Sequence, residues 1–184
     1  MKKVLNWKKI STEELAALIY QQLKENGIDA VLVGGSCVTI YSNNNYISHD
    51  LDYVSSADNE DIRNSLAKLG FERRGKYFQH PHCNFLVEMV ATSVAIGDEV
   101  IKDFRTIKTK HGSFKLLKVE DCVKDRLASY FHWNDRQGLE QAIAVCLDHK
   151  VNLKKISEWA KGERHEEKFL KFKKELEKAK SRVK

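Results

Sequence analysis

The sequence is poor in proline, in flexible linkers and in long apolar runs, and each shortage excludes a class of protein. Pro81 is the single proline among 184 residues, and no Gly/Ser-rich stretch or internal repeat divides the chain. We therefore expect one domain, or one domain with a helical extension. No apolar run approaches the ~18 residues of a membrane span, and the first residues do not resemble a signal peptide.

Metal-binding cysteine patterns and common nucleotide-binding motifs are also lacking. The four cysteines have no spacing typical of a metal site, and three lie in apolar stripes, so we expect buried free thiols in a reducing, cytoplasmic environment. Neither GxxxxGK[ST] nor GxGxxG occurs, which leaves P-loop and Rossmann interpretations without support. The cysteines are Cys37, Cys83, Cys122 and Cys146.

Positive charge is concentrated at one end of the chain. The net charge is +6, yet residues 150–184 contain 13 Lys or Arg against 6 Glu, so the rest of the chain is close to neutral. A basic segment of this kind attracts phosphate backbones without reading their sequence. The alternative is a solvated amphipathic helix in which lysines serve solubility. Phe169 and Phe172 fit the spacing of helix-packing residues better than a platform for stacked bases.

The order of the predicted elements is mixed at first and helical afterwards. Ser11 and Glu14 form a capping-box pattern at the start of a helix that should end near residues 26–27. The patterns predict strands at 30–33, 50–54, 84–90, 99–108 and 113–117, with a hairpin at 71–79. Helices are predicted at 37–41, 58–69, 120–131 and 137–149, and one or two more over 152–184. The sequence thus predicts an α+β fold, with a core at 1–118 and a helical region at 119–184.

The most informative segment is residues 31–54, where a short apolar strand runs into a Gly-Gly-Ser turn and a second strand carries Asp-Leu-Asp. Two carboxylates at i and i+2 of a strand share one face, and such oxygen pairs suit Mg²⁺ with nucleotide phosphates. Glycine-rich backbone after a strand lets N–H groups approach a phosphate. Taken alone, Gly-Gly-Ser is often only a tight turn, and Asp-Leu-Asp is often only a solvated strand end. The residues are Gly34, Gly35, Ser36, Asp50 and Asp52.

A third carboxylate would complete such a site. Glu88 is the single charge in an otherwise apolar strand, where charges are rarely buried unless they are paired or bound to metal. A structural ion pair is the alternative interpretation. Asp98 and Glu99, which follow Gly97 in a predicted loop, are weaker candidates for the third acid.

The order of features in residues 31–54, a strand, then Gly-Gly-Ser, then a strand with Asp-Leu-Asp, resembles a known signature. It is the signature of the nucleotidyltransferase superfamily with DNA polymerase β-like folds, hG[GS] followed by [DE]h[DE]h. The resemblance implies that Asp50, Asp52 and Glu88 are the catalytic, metal-binding acids. It also implies that Gly34, Gly35 and Ser36 contact the phosphates. Aspartate is the more familiar third acid in that superfamily, so Glu88 departs from the pattern. The expected cofactor is Mg²⁺ or Mn²⁺.

The helical half resembles a motif of AbiEii-type nucleotidyltransferases, small bacterial proteins related to toxins of toxin–antitoxin systems. Arg126 takes the place of a basic residue and Asp135 that of an acid after a turn, which implies contacts to the nucleotide. Arg126 falls on an apolar helix face, so it needs a carboxylate or phosphate partner. A purely structural Arg126–Asp135 pair that docks two helices is the alternative.

Together these features predict a metal-dependent nucleotidyltransferase that moves an NMP from an NTP to an acceptor hydroxyl and releases pyrophosphate. The acceptor is open and could be RNA or tRNA. One alternative is a non-catalytic relative of the fold that binds nucleic acid or acts in a toxin–antitoxin pair. Another is a phosphohydrolase or nuclease that uses the same acids.

Overall fold

A seven-stranded mixed sheet forms the centre of this computed structural model, which describes residues 5–183. After a short 3-10 helix at Trp7–Lys9, the helices are α1 (Thr12–Glu25), α2 (Gly34–Tyr41), α3 (Asn59–Ala67), α4 (Val119–Trp133), α5 (Arg136–Asp148), α6 (Leu153–Gly162) and α7 (Glu166–Val183). The strands are β1 (Val31–Val33), β2 (Asp50–Val54), β3 (Glu72–Arg74), β4 (Tyr77–Gln79), β5 (Leu86–Ala91), β6 (Ala95–Ile96), β7 (Glu99–Val100), β8 (Arg105–Thr109) and β9 (Gly112–Leu116).

The large sheet has the strand order β3-β4-β5-β2-β1-β9-β8, and β6 pairs with β7 in a separate two-stranded sheet. β2 runs parallel to β5 and antiparallel to β1, whereas β1 runs parallel to β9. This architecture confirms the predicted α+β class. Every strand among residues 5–183 precedes α4, but the proposed division at 118/119 into two domains stays a prediction.

The start of the chain follows its local signals closely. The Ser11 side chain accepts a hydrogen bond from the Glu14 backbone, and the Glu14 side chain accepts one from the Ser11 backbone, which completes the predicted capping box. The apolar stripe of α1, including Leu15, Ile19 and Leu23, is fully buried. The helix ends at the predicted point, before Gly27 with its φ of +74°.

Two of the predicted elements differ clearly from the structure, and a third prediction is narrowed by it. The predicted strand at 99–108 is two short strands, β7 and β8, because residues 101–104 pair with neither neighbouring strand. The C-terminal region, for which one or two helices were predicted, has two, α6 and α7, separated at residues 163–165, where Arg164 has a φ of +61°. The helix predicted from Cys37 begins earlier, at Gly34, so the glycines form its first turn rather than preceding it.

The basic C-terminal helix is part of the core. One face of α7 carries Phe169, Phe172 and Leu176, each at most 5% exposed, while its lysines point outward. The two phenylalanines therefore pack the helix, as their spacing predicts. No helix among residues 5–183 is both long and apolar enough to cross a membrane.

Because Phe172 is fully buried, its replacement should destabilise the whole domain and not only the C-terminal helix. We expect Phe172→Ala to lower the free energy of unfolding by about 3–5 kcal/mol, through lost burial and the cavity left behind. Lys173→Ala, a change at the adjacent exposed position of the same helix, is the matched control and should cost less than about 1 kcal/mol. Urea denaturation measures both. Equal, small losses would show that α7 is not part of the cooperative core.

Candidate active site

The alternation of β2 separates its acids from its apolar side chains. Leu51 and Tyr53 are fully buried on one face, and the Tyr53 hydroxyl donates a hydrogen bond to the backbone oxygen of Ala16 in α1 at 3.1 Å. Successive side chains of a strand point to opposite faces. Asp50 and Asp52, both half-buried, therefore share the face that points away from α1.

Glu88 joins the same face from the neighbouring strand. β5 runs parallel to β2, and its Glu88 is the direct register partner of Asp52, just as Leu86 is the partner of Asp50. Register partners in a sheet project to the same side and lie about 5 Å apart. Three carboxylates from two central strands are thus side by side on one face.

This crowding shows in the protonation of Asp52. Burial and, after it, the negative charges of Glu88 and Asp50 together raise the pKa of the Asp52 carboxyl from 3.8 to about 6, and the Arg126 guanidinium opposes the increase. A carboxylate whose ionisation is resisted by burial and by two like charges is a site where a cation would be stabilised.

The glycines of the Gly-Gly-Ser sequence make room for this arrangement. Gly34 has a φ of +69°, and a β-carbon there would collide with Oδ2 of Asp52. A β-carbon at Gly35 would lie 3.0 Å from the Ser48 hydroxyl. Any side chain at either position would displace the Asp52 carboxylate or the segment before β2 from the first turn of α2.

The side chain of Ser36 is hydrogen-bonded within the protein, and its contact with a phosphate stays a prediction. Its buried hydroxyl donates to the backbone oxygen of Asp50 at 2.6 Å, and the Ser48 hydroxyl donates to the same oxygen at 3.1 Å. The side chain of Ser36 is therefore engaged in fixing the start of β2 against α2. What Ser36 can offer a phosphate is its backbone N–H in the first turn of the helix, where the dipole favours an anion.

Glu88 already has a cationic partner. Nζ of Lys76, in the turn between β3 and β4, lies 3.0 Å from Oε2 of Glu88. The ion pair considered as an alternative is thus present, but the Lys76 side chain is 63% exposed, and such pairs contribute little to stability. Of the two weaker candidates, Glu99 pairs with Lys124 at 2.6 Å, and Asp98 lies in the turn between β6 and β7, which are not part of the sheet that contains β2 and β5.

Arg126 does not pair with Asp135, so the structural alternative for this residue is wrong, while its contact with a nucleotide stays a prediction. The guanidinium binds Oδ2 of the adjacent Asp125, with Nη2 at 2.5 Å and Nε at 3.0 Å, and approaches Gln141 at 3.4 Å. Asp135 instead caps α5 by accepting the backbone N–H of Gln137 at 2.9 Å. Side chains of adjacent helical residues normally diverge. The long, forked arginine side chain folds back onto its neighbour.

The sequence missed three residues at the site: Ser48, Lys76 and Asp125. Asp125 is close enough to Asp52 to contribute to its raised pKa. An acid directly before the arginine of an apolar stripe was a signal available in the sequence. Lys76 reaches the acids because of the strand order, and Ser48 because of the loop before β2. Patterns in a single sequence do not encode either arrangement.

The donor set fits a hard divalent cation. Asp50, Asp52 and Glu88 supply oxygen ligands on one face, and their mutual repulsion is what bound Mg²⁺ or Mn²⁺ would relieve. As the side chains stand, no three His, Cys, Asp or Glu residues within 5–183 form a ready-made cation cage. The acids share a face, and Glu88 would have to exchange Lys76 for the ion.

Comparison with known proteins bears on the fold. No protein-family model matches the sequence, and no curated protein is significantly similar to it. The crystal structure of an antigenic nucleotidyltransferase-like protein from Paracoccidioides brasiliensis superposes with a TM-score of 0.55 at 15% identity, over 75% of this chain and 76% of that one. The chain therefore has a nucleotidyltransferase-like fold.

A second solved structure is less similar. The antibiotic-resistance factor ANT(2'')-Ia aligns over 92% of both chains at 12% identity, with a TM-score of 0.43. That score is too low to establish a common fold.

The raised pKa of Asp52 predicts how stability depends on pH in metal-free buffer. Between pH ~4 and ~6 the folded state binds more protons than the unfolded state, so the free energy of unfolding falls as pH rises. Asp52→Asn removes this ionisation and should be more stable than the parent by roughly 1–3 kcal/mol at pH 8.

The advantage of Asp52→Asn should shrink toward pH 4, where both proteins are neutral at this position. Asp61→Asn, on the exposed face of α3, is the control and should leave the pH profile unchanged. Denaturant melts from pH 4 to 8 measure these differences. A variant less stable than the parent at pH 8 would show that Asp52 is a stabilising group and not a strained one.

Proposed function

We propose that this protein is a metal-dependent nucleotidyltransferase that moves an NMP from an NTP to an acceptor hydroxyl with release of pyrophosphate. One observation carries the proposal. Asp50, Asp52 and Glu88 share one face of adjacent central strands, and the glycine-opened first turn of α2 lies directly beside them. Carboxylates next to an anion-binding helix terminus suit a triphosphate that is bound with a cation.

Each residue then has a role that its contacts support. Backbone N–H groups of Gly35 and Ser36 in the first turn of α2 would bind phosphate oxygens, while Ser36 and Ser48 hold β2 in place through the Asp50 carbonyl. Arg126, oriented by Asp125, would offset negative charge beside Asp52. Asp135 would act indirectly, by capping α5.

Asp50, Asp52 and Glu88 would hold Mg²⁺ or Mn²⁺, which when bound neutralises phosphate charge and orients the triphosphate. Glu88 is the acid best placed to take the proton of the acceptor hydroxyl, since its present partner, Lys76, is exposed and weakly held. Burial of Leu51 and Tyr53 fixes the strand that carries both aspartates, so their geometry does not depend on a flexible loop.

We also propose that, within the nucleotidyltransferases, this protein is related to the AbiEii type. This relationship rests on the Asp125-Arg126 and Asn134-Asp135-Arg136 segments of α4 and α5. Arg126 beside Asp52 agrees with a role near the nucleotide. Asp135, which caps a helix, offers the subfamily assignment less support.

A second candidate function is nucleic-acid binding without catalysis, in a toxin–antitoxin pair or another complex. The observation that favours it is the exposed lysine face of α7. Lys178 and Lys180 pair with acids of their own helix, but Lys171, Lys173 and Lys174 have no carboxylate within 4.0 Å among residues 5–183. Lysines without an acidic partner attract phosphate backbones.

Transfer of a labelled nucleotide tests the first candidate. With Mg²⁺, α-labelled NTPs and cellular extract as a source of acceptors, we expect a labelled product and pyrophosphate in equal amounts. Asp52→Asn should lower the rate by roughly 10²–10³-fold, because an acid that touches the bound cation is lost. Asp61→Asn should retain the parent rate.

Other outcomes separate the competing functions. Inorganic phosphate or cleaved nucleic acid without NMP transfer would indicate a hydrolase or nuclease. Binding of RNA that survives Asp52→Asn, weakens with salt and falls in a Lys171/Lys173/Lys174→Gln variant, with no transfer, would establish the second candidate. The lysine variant keeps the buried face of α7, so it tests charge without removing part of the core.

A further inference from the structure

A tyrosine stands beside the three acids on the open face of the sheet. β4 pairs with β5, and in that ladder Tyr77 is the direct register partner of Glu88, as Glu88 is of Asp52 on the next strand. Register partners in a sheet project to the same side, at a spacing of about 5 Å from strand to strand. The phenol of Tyr77 therefore lies on the face of the acids, next to Glu88.

Lys76 joins these two side chains. Its Nζ lies 3.0 Å from Oε2 of Glu88 and 4.7 Å from the centre of the Tyr77 ring. Because one ammonium group contacts both, the ring and the carboxylate are close in space and not only in register. The Lys76 side chain is 63% exposed, so this contact is open to molecules from solvent.

The Tyr77 hydroxyl differs from most tyrosine hydroxyls of the chain. Those of Tyr20, Tyr41 and Tyr53 donate hydrogen bonds to oxygen atoms of the protein, and that of Tyr46 accepts one from α5. Among residues 5–183, the Tyr77 hydroxyl donates to no protein oxygen, and its side chain is only half-buried. Its proton is therefore free to pass to a base.

The other hydroxyls near the acids are engaged or point elsewhere. Ser36 and Ser48 both donate to the backbone oxygen of Asp50. The strands from β2 to β5 contain no serine or threonine, and their second tyrosine, Tyr53, points to α1. Tyr77 is thus the one hydroxyl that these four strands present beside Glu88.

The position of Tyr77 also suits the geometry of nucleotidyl transfer. The proposed function places the phosphates at the first turn of α2, which directly follows β1. The strand order β4-β5-β2-β1 puts β4 on the other side of the acids. In phosphoryl transfer the attacking and leaving oxygens lie roughly in line, on opposite sides of the phosphorus. An oxygen that approaches from β4 is thus opposite to pyrophosphate that leaves toward α2.

We propose that Tyr77 is itself a modification site, and that the protein transfers an NMP from an NTP to the hydroxyl of its own Tyr77. The phenolic oxygen forms a bond to the α-phosphorus, the bond from this phosphorus to the oxygen that bridges to the β-phosphate breaks, and pyrophosphate leaves. The phenolic proton passes to Glu88. The inference rests on the proposed function for this chemistry, whereas the choice of Tyr77 rests on strand register and on the contacts of Lys76.

Incubation of the full chain with Mg²⁺ and α-labelled NTPs, without an added acceptor, tests this assignment. We expect label on the protein itself, with a rate constant that is unchanged by about ten-fold dilution, because the nucleophile is held beside the nucleotide. Trypsin cleavage releases residues 77–102, in which Tyr77 is the single tyrosine. Fragmentation of this peptide in a mass spectrometer should place the NMP on that tyrosine.

Tyr77→Phe keeps the ring and removes the oxygen, so it should lower the labelling by about ten-fold or more, since the remaining hydroxyls are not positioned for attack. Tyr20→Phe, which removes a hydroxyl from α1, is the matched control and should be labelled like the parent. Mn²⁺ gives a second measurement without nucleotide. Substoichiometric Mn²⁺ should broaden the ring signals of Tyr77, identified by their loss in Tyr77→Phe, more strongly than those of Tyr20.

The possible outcomes separate this inference from the proposed function. Transfer to an added acceptor while Tyr77 stays unlabelled would overturn the inference and leave the proposed function standing. Label on another residue would do the same, and so would a rate constant that rises with protein concentration, because the reaction would then be intermolecular. Mn²⁺ broadening at Tyr77 without transfer to any hydroxyl would contradict the proposed function, and the modification of Tyr77 with it.

Discussion

The structure depends on keeping three like charges together at the centre of a sheet. Asp52 and Glu88 are register partners on parallel strands, and Asp50 shares their face. Their repulsion and burial resist ionisation of Asp52. The apolar face of the same strand opposes this strain, because Leu51 and Tyr53 are fully buried and Tyr53 is hydrogen-bonded to α1. Burial of such side chains contributes about 1.5–3 kcal/mol each, enough to hold a strained carboxylate in place.

The helical half of the chain contributes both to the surroundings of Asp52 and to the core. Asp125 and Arg126 of α4 are paired and influence the ionisation of Asp52, α5 is capped by Asp135, and α7 packs through Phe169 and Phe172. The basic C-terminal segment thus has two sides with different roles: an apolar side that belongs to the core, and a lysine side that faces solvent.

Period-2 alternation and the rarity of charge in apolar strands were enough to predict which residues share a face. Asp50, Asp52 and Glu88 were found in this way, and the fold class followed from the order of elements. Contacts that depend on side-chain conformation or on strand order could not be predicted from the sequence. The Arg126–Asp125 pair requires an arginine that folds back, and the Lys76–Glu88 pair requires a hairpin that lies beside β5. The phosphate contact of the glycines stays a prediction, and the close approach of Asp52 and Ser48 to them was not foreseen.

The central claim is that the three acids bind one divalent cation, and Mn²⁺ tests it without any nucleotide or acceptor. In ¹H–¹⁵N spectra, substoichiometric Mn²⁺ should broaden the backbone resonances of Asp50, Asp52 and Glu88 together, and Asp52→Asn should abolish this effect at the same concentration. Lys76→Met should lower the concentration needed, because Glu88 loses its competing partner. Broadening confined to β2, or centred on another part of the molecule, would show that the acids share a face of the sheet but not an ion.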